Sequence, residues 1–291
     1  MVGHLDLLVK RALAKGNDLY KVLQMACINP VEHYKLDIGL LEVGDAADFI
    51  VVDQPTAEKF NVLQTYIDGE LVAENGKTNI KSVAAQIINN FNTSHKKPSD
   101  FQMKSEGENI NVIEALDGEL ITNKITMQPK TENGYLISDV ENDILKFTVI
   151  NRYADAPPAV GFIKNFGLKS GALASSVGHD SHNILAVGVD DEAIAKAVNL
   201  LIDVKGGVAA VSGEKQEIVP LPVAGLMSNK DGYEVGKAYA NIDKMTKEMG
   251  STLLAPYMTL SFMALLVIPS LKLSDLGLFD GDKFEFVRVS F

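Results

Sequence analysis

The first part of the chain has the apolar spacing of helices. In HLDLLVKRALAKG, apolar residues recur every three or four positions, which places them on one helix face. The same spacing predicts a second helix from Asp18 to Cys27, with Cys27 on its buried stripe. Asn29-Pro30 is expected to break the chain there, because a residue before proline avoids the helical region. Residues 1–37 are therefore predicted to be a group of helices too small to enclose a core alone.

A strand pattern replaces the helical one from about residue 38. AADFIVVD, VLQTYI and ELVA are rich in β-branched and aromatic residues, and Asp68-Gly69 separates the last two as a two-residue hairpin loop. These runs predict a small β-unit over 38–80. The polar, proline-containing segment that follows predicts a linker over 81–100.

Beyond the linker, strands and helices alternate. Several short strands precede the buried run ILAVGV, and Asn133-Gly134 is expected to form a tight turn between two of them. Asp190 then caps a helix over DDEAIAKAVNLLIDV, and GVAAVSG returns as a strand, which predicts a βαβ unit. A further helix is expected over 231–249 and a final strand over FEFVRVSF. The predicted fold class is α/β in the mixed α+β sense, with 101–291 as the larger domain.

The charge balance excludes one class of partner, and the composition indicates a compartment. The chain has 27 Lys and Arg against 38 Asp and Glu, a net charge of −11, whereas nucleic-acid binding needs a basic face. Its longest apolar run, 257–268, is too short to span a bilayer, and Asp6 interrupts any leader-like apolar segment. The single cysteine excludes an intrachain disulfide and suits a reducing compartment. We therefore expect a soluble, cytoplasmic protein without nucleic-acid or membrane partners.

The densest polar cluster directly precedes the buried ILAVGV run. Its five consecutive hydrogen-bonding side chains are His179, Asp180, Ser181, His182 and Asn183. Such groups at the edge of a buried strand are costly unless they are solvated or used. The two histidines are three residues apart, but no third ligand with metal-site spacing is evident, so a hydrogen-bonded turn is the main alternative to a metal site. Ser175 or Ser176 beside His179 is a weaker nucleophile–base pattern, because no G-x-S-x-G turn surrounds it.

Longer segments resemble one enzyme family. GHLDLLVKRALAKG, MACINPVEHYKL and GLLEVGDAADFIVVD resemble the closing segment of an amidohydrolase-superfamily enzyme, in which a metal-bearing barrel ends in helices and continues into a small β-domain. SSVGHDSHNILAVGVDDEAIAKAVN, LPVAGLMS and PYMTLSFMALLVIPSLKLSDLGLFD resemble the bacterial adenine deaminases of that superfamily. The resemblance covers nearly the whole chain and is weakest over 77–110. It implies a hydrolase of purine catabolism that converts adenine to hypoxanthine and ammonia with a water activated by Mn²⁺ or Fe²⁺.

One departure from that family concerns the metal. The family's ligands, an H-x-H pair among them, belong upstream of GHLD, and this sequence contains no H-x-H. The chain is therefore expected to be a C-terminal half that lacks the metal ligands and has the missing N-terminal barrel segment as a partner. A homo-oligomer is expected as well. Expressed alone, the chain is expected to bind no stoichiometric metal and to leave adenine unchanged.

The polar cluster is a specific motif of the resemblance, and we expect it to serve the active site that the resemblance implies. His179, Asp180 and His182 are the catalytic candidates, which close over the purine or support the site, and Ser181 and Asn183 are the substrate-binding candidates. No residue of this chain is assigned to the metal. The alternative hypothesis is a non-catalytic accessory or oligomerisation domain of an amidohydrolase, in which the cluster is only a structural turn.

Overall fold

The computed structural model describes residues 4–56 and 59–291, which divide into two units. The N-terminal unit extends to Ala84, and the C-terminal unit spans Ala85–Phe291. Both contain helices and strands, so the predicted mixed α+β class is confirmed. In the part of the chain that the structure describes, no helix is both long and apolar enough to cross a membrane.

In the N-terminal unit, helices precede a four-stranded antiparallel sheet. The helical part consists of α1 (Leu5–Ala14), α2 (Leu19–Leu23), a π-helical turn (Gln24–Ile28) and α3 (Asn29–Tyr34). The sheet contains, in chain order, β1 (Phe49–Val52), β2 (Val62–Ile67), β3 (Glu70–Glu74) and β4 (Lys77–Thr78). Asp68 and Gly69 have φ values of 50° and 78°, as a type I′ turn requires, so the predicted hairpin is confirmed. Val9, Val22 and Phe60 form the small core of this unit.

Two details of the helical prediction are wrong. The chain does not break at Asn29-Pro30, because the Asn29 amide donates to Gln24 O in the π-helical turn and α3 follows without interruption. Pro30 lies in the first turn of α3, where a missing N–H costs little. Cys27 is exposed and not buried, since Val22 carries the buried face of this segment.

The C-terminal unit contains one eight-stranded sheet and two three-stranded sheets. Its strands are β5 (Met103–Lys104), β6 (Ile110–Ala115), β7 (Thr122–Met127), β8 (Lys130–Glu132), β9 (Tyr135–Ile137), β10 (Ile144–Ile150), β11 (Ala159–Lys164), β12 (Ala172–Ser175), β13 (Ile184–Gly188), β14 (Gly207–Ser212), β15 (Lys215–Pro220), β16 (Leu271–Ser274), β17 (Gly277–Asp280) and β18 (Glu285–Phe286). The order in the large sheet is β15-β14-β12-β13-β10-β11-β6-β7, and only β6 and β11 pair in parallel. Asn133 and Gly134, with φ values of 51° and 82°, form the predicted tight turn between β8 and β9. The predicted final strand is reduced to the two residues of β18.

Helices cover both faces of the large sheet. They are α4 (Asp191–Val204), α5 (Gly232–Glu248) and α6 (Pro256–Phe262), and a short 3₁₀ turn spans Pro98–Phe101. Ala172 and Ala174 of β12 pack in the cluster that contains α4, whereas Leu173 packs in the cluster that contains α5 and α6. Because successive strand side chains point to opposite faces, the sheet lies between these two helical layers. Asp190 caps α4 as predicted, and its carboxylate accepts a 2.7 Å hydrogen bond from the Ala193 amide.

The predicted βαβ unit contains an additional strand. β13 and β14, which α4 connects, do not pair with each other, because β12 lies between them and is antiparallel to both. β13 and β14 therefore run parallel, one strand apart. One end of the sheet consequently holds four chain ends: the C-terminal ends of β10 and β12 and the N-terminal ends of β13 and β14.

Residues 85–100 of the predicted linker belong to the C-terminal unit. His95 Nε2 lies 2.7 Å from Asp203 Oδ1, and the buried Lys96 Nζ donates to Asp155 Oδ1 at 2.7 Å. The division between the units falls between Ala84 and Ala85, inside the segment 81–100. The remaining boundaries proposed from the sequence stay a prediction.

Candidate functional site

The polar cluster forms the loop between β12 and β13, which we call the 179–183 loop. The His182 amide donates to Gly178 O at 2.7 Å, and His182 has a φ of 54°, so the chain reverses tightly before β13. A Cβ at Gly178 would lie 2.2 Å from the Leu185 side chain, which explains why glycine precedes the loop. β13 is buried along its whole length and holds the second end of the loop firmly. The cluster is thus a short, well-anchored connection at one end of the large sheet.

The two imidazoles of the loop are half-buried and near each other. The His179 ring stacks on Phe262 with 4.9 Å between ring centroids and an angle of 15°, and the His179 amide donates to Ser261 O at 2.8 Å. The centroid of the His182 ring lies 6.0 Å from that of His179. Asp180, between them in sequence, is exposed. The structure therefore brings the three catalytic candidates together on one loop.

The two substrate-binding candidates, Ser181 and Asn183, form hydrogen bonds that hold the loop in place. The Asn183 side chain is buried, and its Oδ1 accepts a 3.3 Å hydrogen bond from the Arg152 amide. The Ser181 side chain is exposed, while the Ser181 carbonyl accepts a 2.7 Å hydrogen bond from the Tyr153 hydroxyl. Arg152 and Tyr153, which follow β10, were not selected from the sequence because no local pattern connects them to the loop.

The environment of His182 favours the neutral imidazole. Burial lowers the pKa of His182 from its usual value, the positive charges of Arg152 and His179 lower it further, and Asp180 opposes them. The His182 Nδ1 atom is buried and has no hydrogen-bond partner among the residues that the structure describes. At neutral pH this ring can both donate and accept a hydrogen bond.

The serine–histidine hypothesis is contradicted by the hydrogen bonds of both serines. Ser176 Oγ accepts from the Gly207 amide at 2.8 Å and donates to Gly225 O at 2.6 Å. Ser175 Oγ accepts from the Val177 amide at 3.0 Å. Both side chains are fully buried, and neither hydroxyl is hydrogen-bonded to His179. A nucleophile must be paired with its base, so these serines are structural.

An apolar cleft of about 280 Å³ adjoins the loop, with His179 in its wall. Its other lining residues come from β12, β14 and β15, from the positions just after β12 and β15, and from α5 and α6; they include Val208, Val219, Tyr239 and Met258. Met245, Met249 and Met263 are buried in the core, whereas Met258 is 55% exposed. The helical spacing of the PYMTLSF segment was the signal that could have placed Met258 on a different face from Tyr257.

The described residues do not fit a metal centre. Among residues 4–56 and 59–291, no three His, Cys, Asp or Glu side chains are grouped so that they could hold a metal ion. His179 and His182 have no third ligand beside them in this set, whereas a zinc site has three or four protein ligands.

Comparison with known proteins identifies the family. Residues 119–285, which are more than half of the chain and include the 179–183 loop, match the adenine deaminase C-terminal domain. The chain belongs to the adenine deaminase C-terminal domain family. Residues 1–72 match the amidohydrolase family. Both parts of the resemblance found in the sequence are thereby confirmed.

Several curated relatives of this chain are named adenine deaminase. The protein of Sulfurovum sp. (strain NBC37-1) is 54% identical over 285 residues, which are 98% of this chain and 52% of the relative. The protein of Salinibacter ruber (strain DSM 13855 / M31) is 50% identical over 98% of this chain and 52% of its own length. The protein of Methanosarcina barkeri (strain Fusaro / DSM 804) is 50% identical over 99% of this chain and 53% of its own length. The chain spans about half the length of the curated relatives it matches.

Proposed function

We propose that this chain is the C-terminal part of an adenine deaminase and that the 179–183 loop faces the purine. The observation that carries the proposal is the pair of half-buried imidazoles beside the exposed Asp180 carboxylate, inside the region that matches the adenine deaminase C-terminal domain. The net reaction is adenine plus water to hypoxanthine plus ammonia. Water forms the new C–O bond at C6, and the C–N bond to the exocyclic amine breaks.

The loop contributes hydrogen bonds and proton positions in this proposal. The neutral His182 imidazole donates to a ring nitrogen of the purine, and the Asp180 carboxylate accepts from a protonated nitrogen or from the leaving amine. The His179 ring, fixed by its stacking on Phe262, closes the site against water and supports these contacts. The Ser181 hydroxyl completes the contacts to the purine, and Asn183 holds the loop in place.

The metal and the partners belong to the whole enzyme. The amidohydrolase match supports a divalent metal, and Mn²⁺ or Fe²⁺ is our proposal for it; the described residues offer it no ligand set, so the steps above use only the loop. The missing N-terminal barrel segment is the proposed partner of this chain. We also propose a homo-oligomer in the cytoplasm that acts in purine catabolism, for which the single cysteine supports the compartment.

The test is a fusion that supplies the missing part. The portion of the Sulfurovum relative outside the matched region is joined to the front of this chain, and hypoxanthine and ammonia are measured with adenine as substrate. Asp180→Asn is expected to lower kcat about a hundred- to a thousandfold, the cost of losing one hydrogen bond that stabilises the transition state. His179→Ala is expected to lower kcat as well, because water then reaches the site. The melting temperature and the metal content should stay near those of the parent fusion.

Matched controls are available on the same chain. His95→Ala and Asp203→Asn change an exposed imidazole and an exposed carboxylate outside the loop, and kcat should stay within about twofold. If the loop variants behave like these controls, the loop is only a structural turn and the accessory-domain alternative is favoured. A folded, metal-loaded fusion that releases no ammonia from adenine refutes the deaminase proposal itself.

A further inference from the structure

Two residues that follow β10 connect the 179–183 loop to a second loop. Arg152 is only 4% exposed; its Nη1 donates to Ala224 O at 2.6 Å, and its Nη2 donates to the Tyr153 hydroxyl at 3.0 Å. Ala224 lies in the LPVAGLMS segment, residues 221–228, which the sequence analysis singled out. The Arg152 guanidinium therefore bridges the 221–228 segment and Tyr153.

The same two residues hold the middle and the last residue of the polar cluster. The Tyr153 hydroxyl donates to Ser181 O at 2.7 Å, and the Arg152 amide donates to Asn183 Oδ1 at 3.3 Å. The Asn92 amide donates to Arg152 O at 2.7 Å, so a third segment joins the same point. Three stretches of chain that are distant in sequence thus meet at Arg152, the 221–228 segment through its side chain and the other two through its backbone.

The burial of this arginine is costly. Among the described residues, Arg152 forms no ion pair, and its Nε has no hydrogen-bond partner. The rings of Phe91 and Tyr153, with centroids 5.8 Å and 4.7 Å from the guanidinium carbon, give partial compensation. A Cβ at Gly225 would lie 1.9 Å from Arg152 Nη1, so glycine at that position is what admits the side chain. A buried, incompletely satisfied cation contributes little net stability, which indicates that its contacts serve the arrangement of the loops.

We propose that Arg152, together with Tyr153, is a positioning residue that fixes the 179–183 loop against the 221–228 segment and thereby sets the orientation of the His182 imidazole. The structural part of this proposal stands without any activity. Its meaning for catalysis rests on the proposed function.

The charges around His182 provide a readout. The charged or titratable groups that act on its ring are Arg152, His179 and Asp180, and after burial the Arg152 charge is the largest contribution that lowers the pKa of His182. Removing Arg152 therefore raises this pKa through the lost charge, and raises it again if the loop moves into solvent. Because the lost charge raises this pKa even if the loop does not move, the exchange of the His182 amide is measured beside it as the report on loop position.

The experiment compares Arg152→Met with Lys146→Met in the full 291-residue chain. Lys146 is the control, since it is also buried and donates to a backbone carbonyl, that of Phe101, but lies outside the loop; unlike Arg152, it also pairs with a carboxylate, that of Asp191. NMR of the histidine C2 protons gives the pKa of His182, assigned with His182→Gln. Hydrogen exchange gives the protection of the His182 amide, with β13 amides as internal reference.

The expected results separate positioning from general stability. Arg152→Met should raise the pKa of His182 and speed exchange of its amide about ten- to a hundredfold relative to the β13 amides, the factor for losing hydrogen bonds to a charged donor. Lys146→Met should change neither quantity relative to that reference. Tyr153→Phe, which removes one hydroxyl and keeps the ring, gives the same direction with a smaller exchange effect and stays folded.

Unchanged loop exchange in Arg152→Met, whatever the pKa of His182 does, or equal changes in Lys146→Met, would overturn the proposal. In the fusion enzyme, Arg152→Met should lower kcat per folded molecule where Lys146→Met does not. If the NMR results hold and the fusion shows no deaminase activity, positioning stands and the proposed function fails. The two proposals therefore fail through different measurements.

Discussion

Replacing Ser176 with alanine removes a hydroxyl that bridges two backbone groups inside the C-terminal unit. Ser176 is fully buried, accepts a hydrogen bond from the Gly207 amide at 2.8 Å and donates one to Gly225 O at 2.6 Å. Alanine can do neither. One substitution therefore deprives a buried donor and a buried acceptor of this partner.

The size of the effect follows from these two contacts. A buried polar group that loses its partner costs about 1–3 kcal/mol. Two groups lose this partner, and single substitutions that cost more than about 4 kcal/mol are exceptional, so we expect Ser176→Ala to lower the free energy of unfolding of the C-terminal unit by about 2–4 kcal/mol. For a unit of about 200 residues, each kcal/mol shifts Tm by about 2–4 °C, so a decrease of about 4–16 °C follows.

The assay is urea and thermal unfolding followed by circular dichroism, since the chain contains no tryptophan to report by fluorescence. Ser175→Ala is the matched control. Ser175 is the preceding residue and equally buried, but its Oγ accepts a single 3.0 Å hydrogen bond, from the Val177 amide. Its substitution should cost about 1 kcal/mol.

The reasoning is refuted if the two serine variants lose the same free energy, or if Ser176→Ala loses less than Ser175→Ala. Either outcome would mean that the Ser176 hydroxyl is not the bridge between Gly207 and Gly225. In the fusion enzyme, both variants should lose activity only in proportion to the loss of folded protein, because neither hydroxyl is paired with His179.

Two further predictions concern pH and backbone conformation. The hydrogen bond from Lys96 lowers the pKa of Asp155 from 3.8 to about 2. The pair therefore contributes stability above pH 4 that is lost as the pH falls towards 2. The urea midpoints of Asp155→Asn and of the parent chain should differ at pH 6 and converge near pH 2. Gly225→Ala should lower Tm more than Gly213→Ala. Both positions have positive φ, but a Cβ at Gly225 would meet Arg152 Nη1 at 1.9 Å, whereas a Cβ at Gly213 would meet nothing within 4 Å. Equal decreases in Tm would show that Arg152 does not occupy this space.

Local features of the fold were predictable from the sequence because their causes are local. The Asp68-Gly69 and Asn133-Gly134 turns need residues that tolerate positive φ at adjacent positions, and few dipeptides do. The cap at Asp190 needs only a short acceptor three residues before the amide that it binds. The position of the polar cluster before a buried strand was also visible, since ILAVGV has no polar interruption.

Long-range features were decided by the tertiary structure. The hydrophobic pattern of β13, α4 and β14 is the same whether those strands pair or are separated, and only the sheet places β12 between them. Pro30 illustrates the same limit at short range: the preceding π-helical turn, which no propensity indicated, lets the helix continue.

For the candidate site, the sequence by itself determined which residues are polar and adjacent, from His179 to Asn183. Only the tertiary structure decided what they contact. Arg152 lies 27 residues before His179 in sequence and reaches the loop because β10 and β13 are neighbours in the sheet. Its role follows from burial and hydrogen bonding, which depend on where distant segments meet, and a one-dimensional pattern of residue types does not contain those distances.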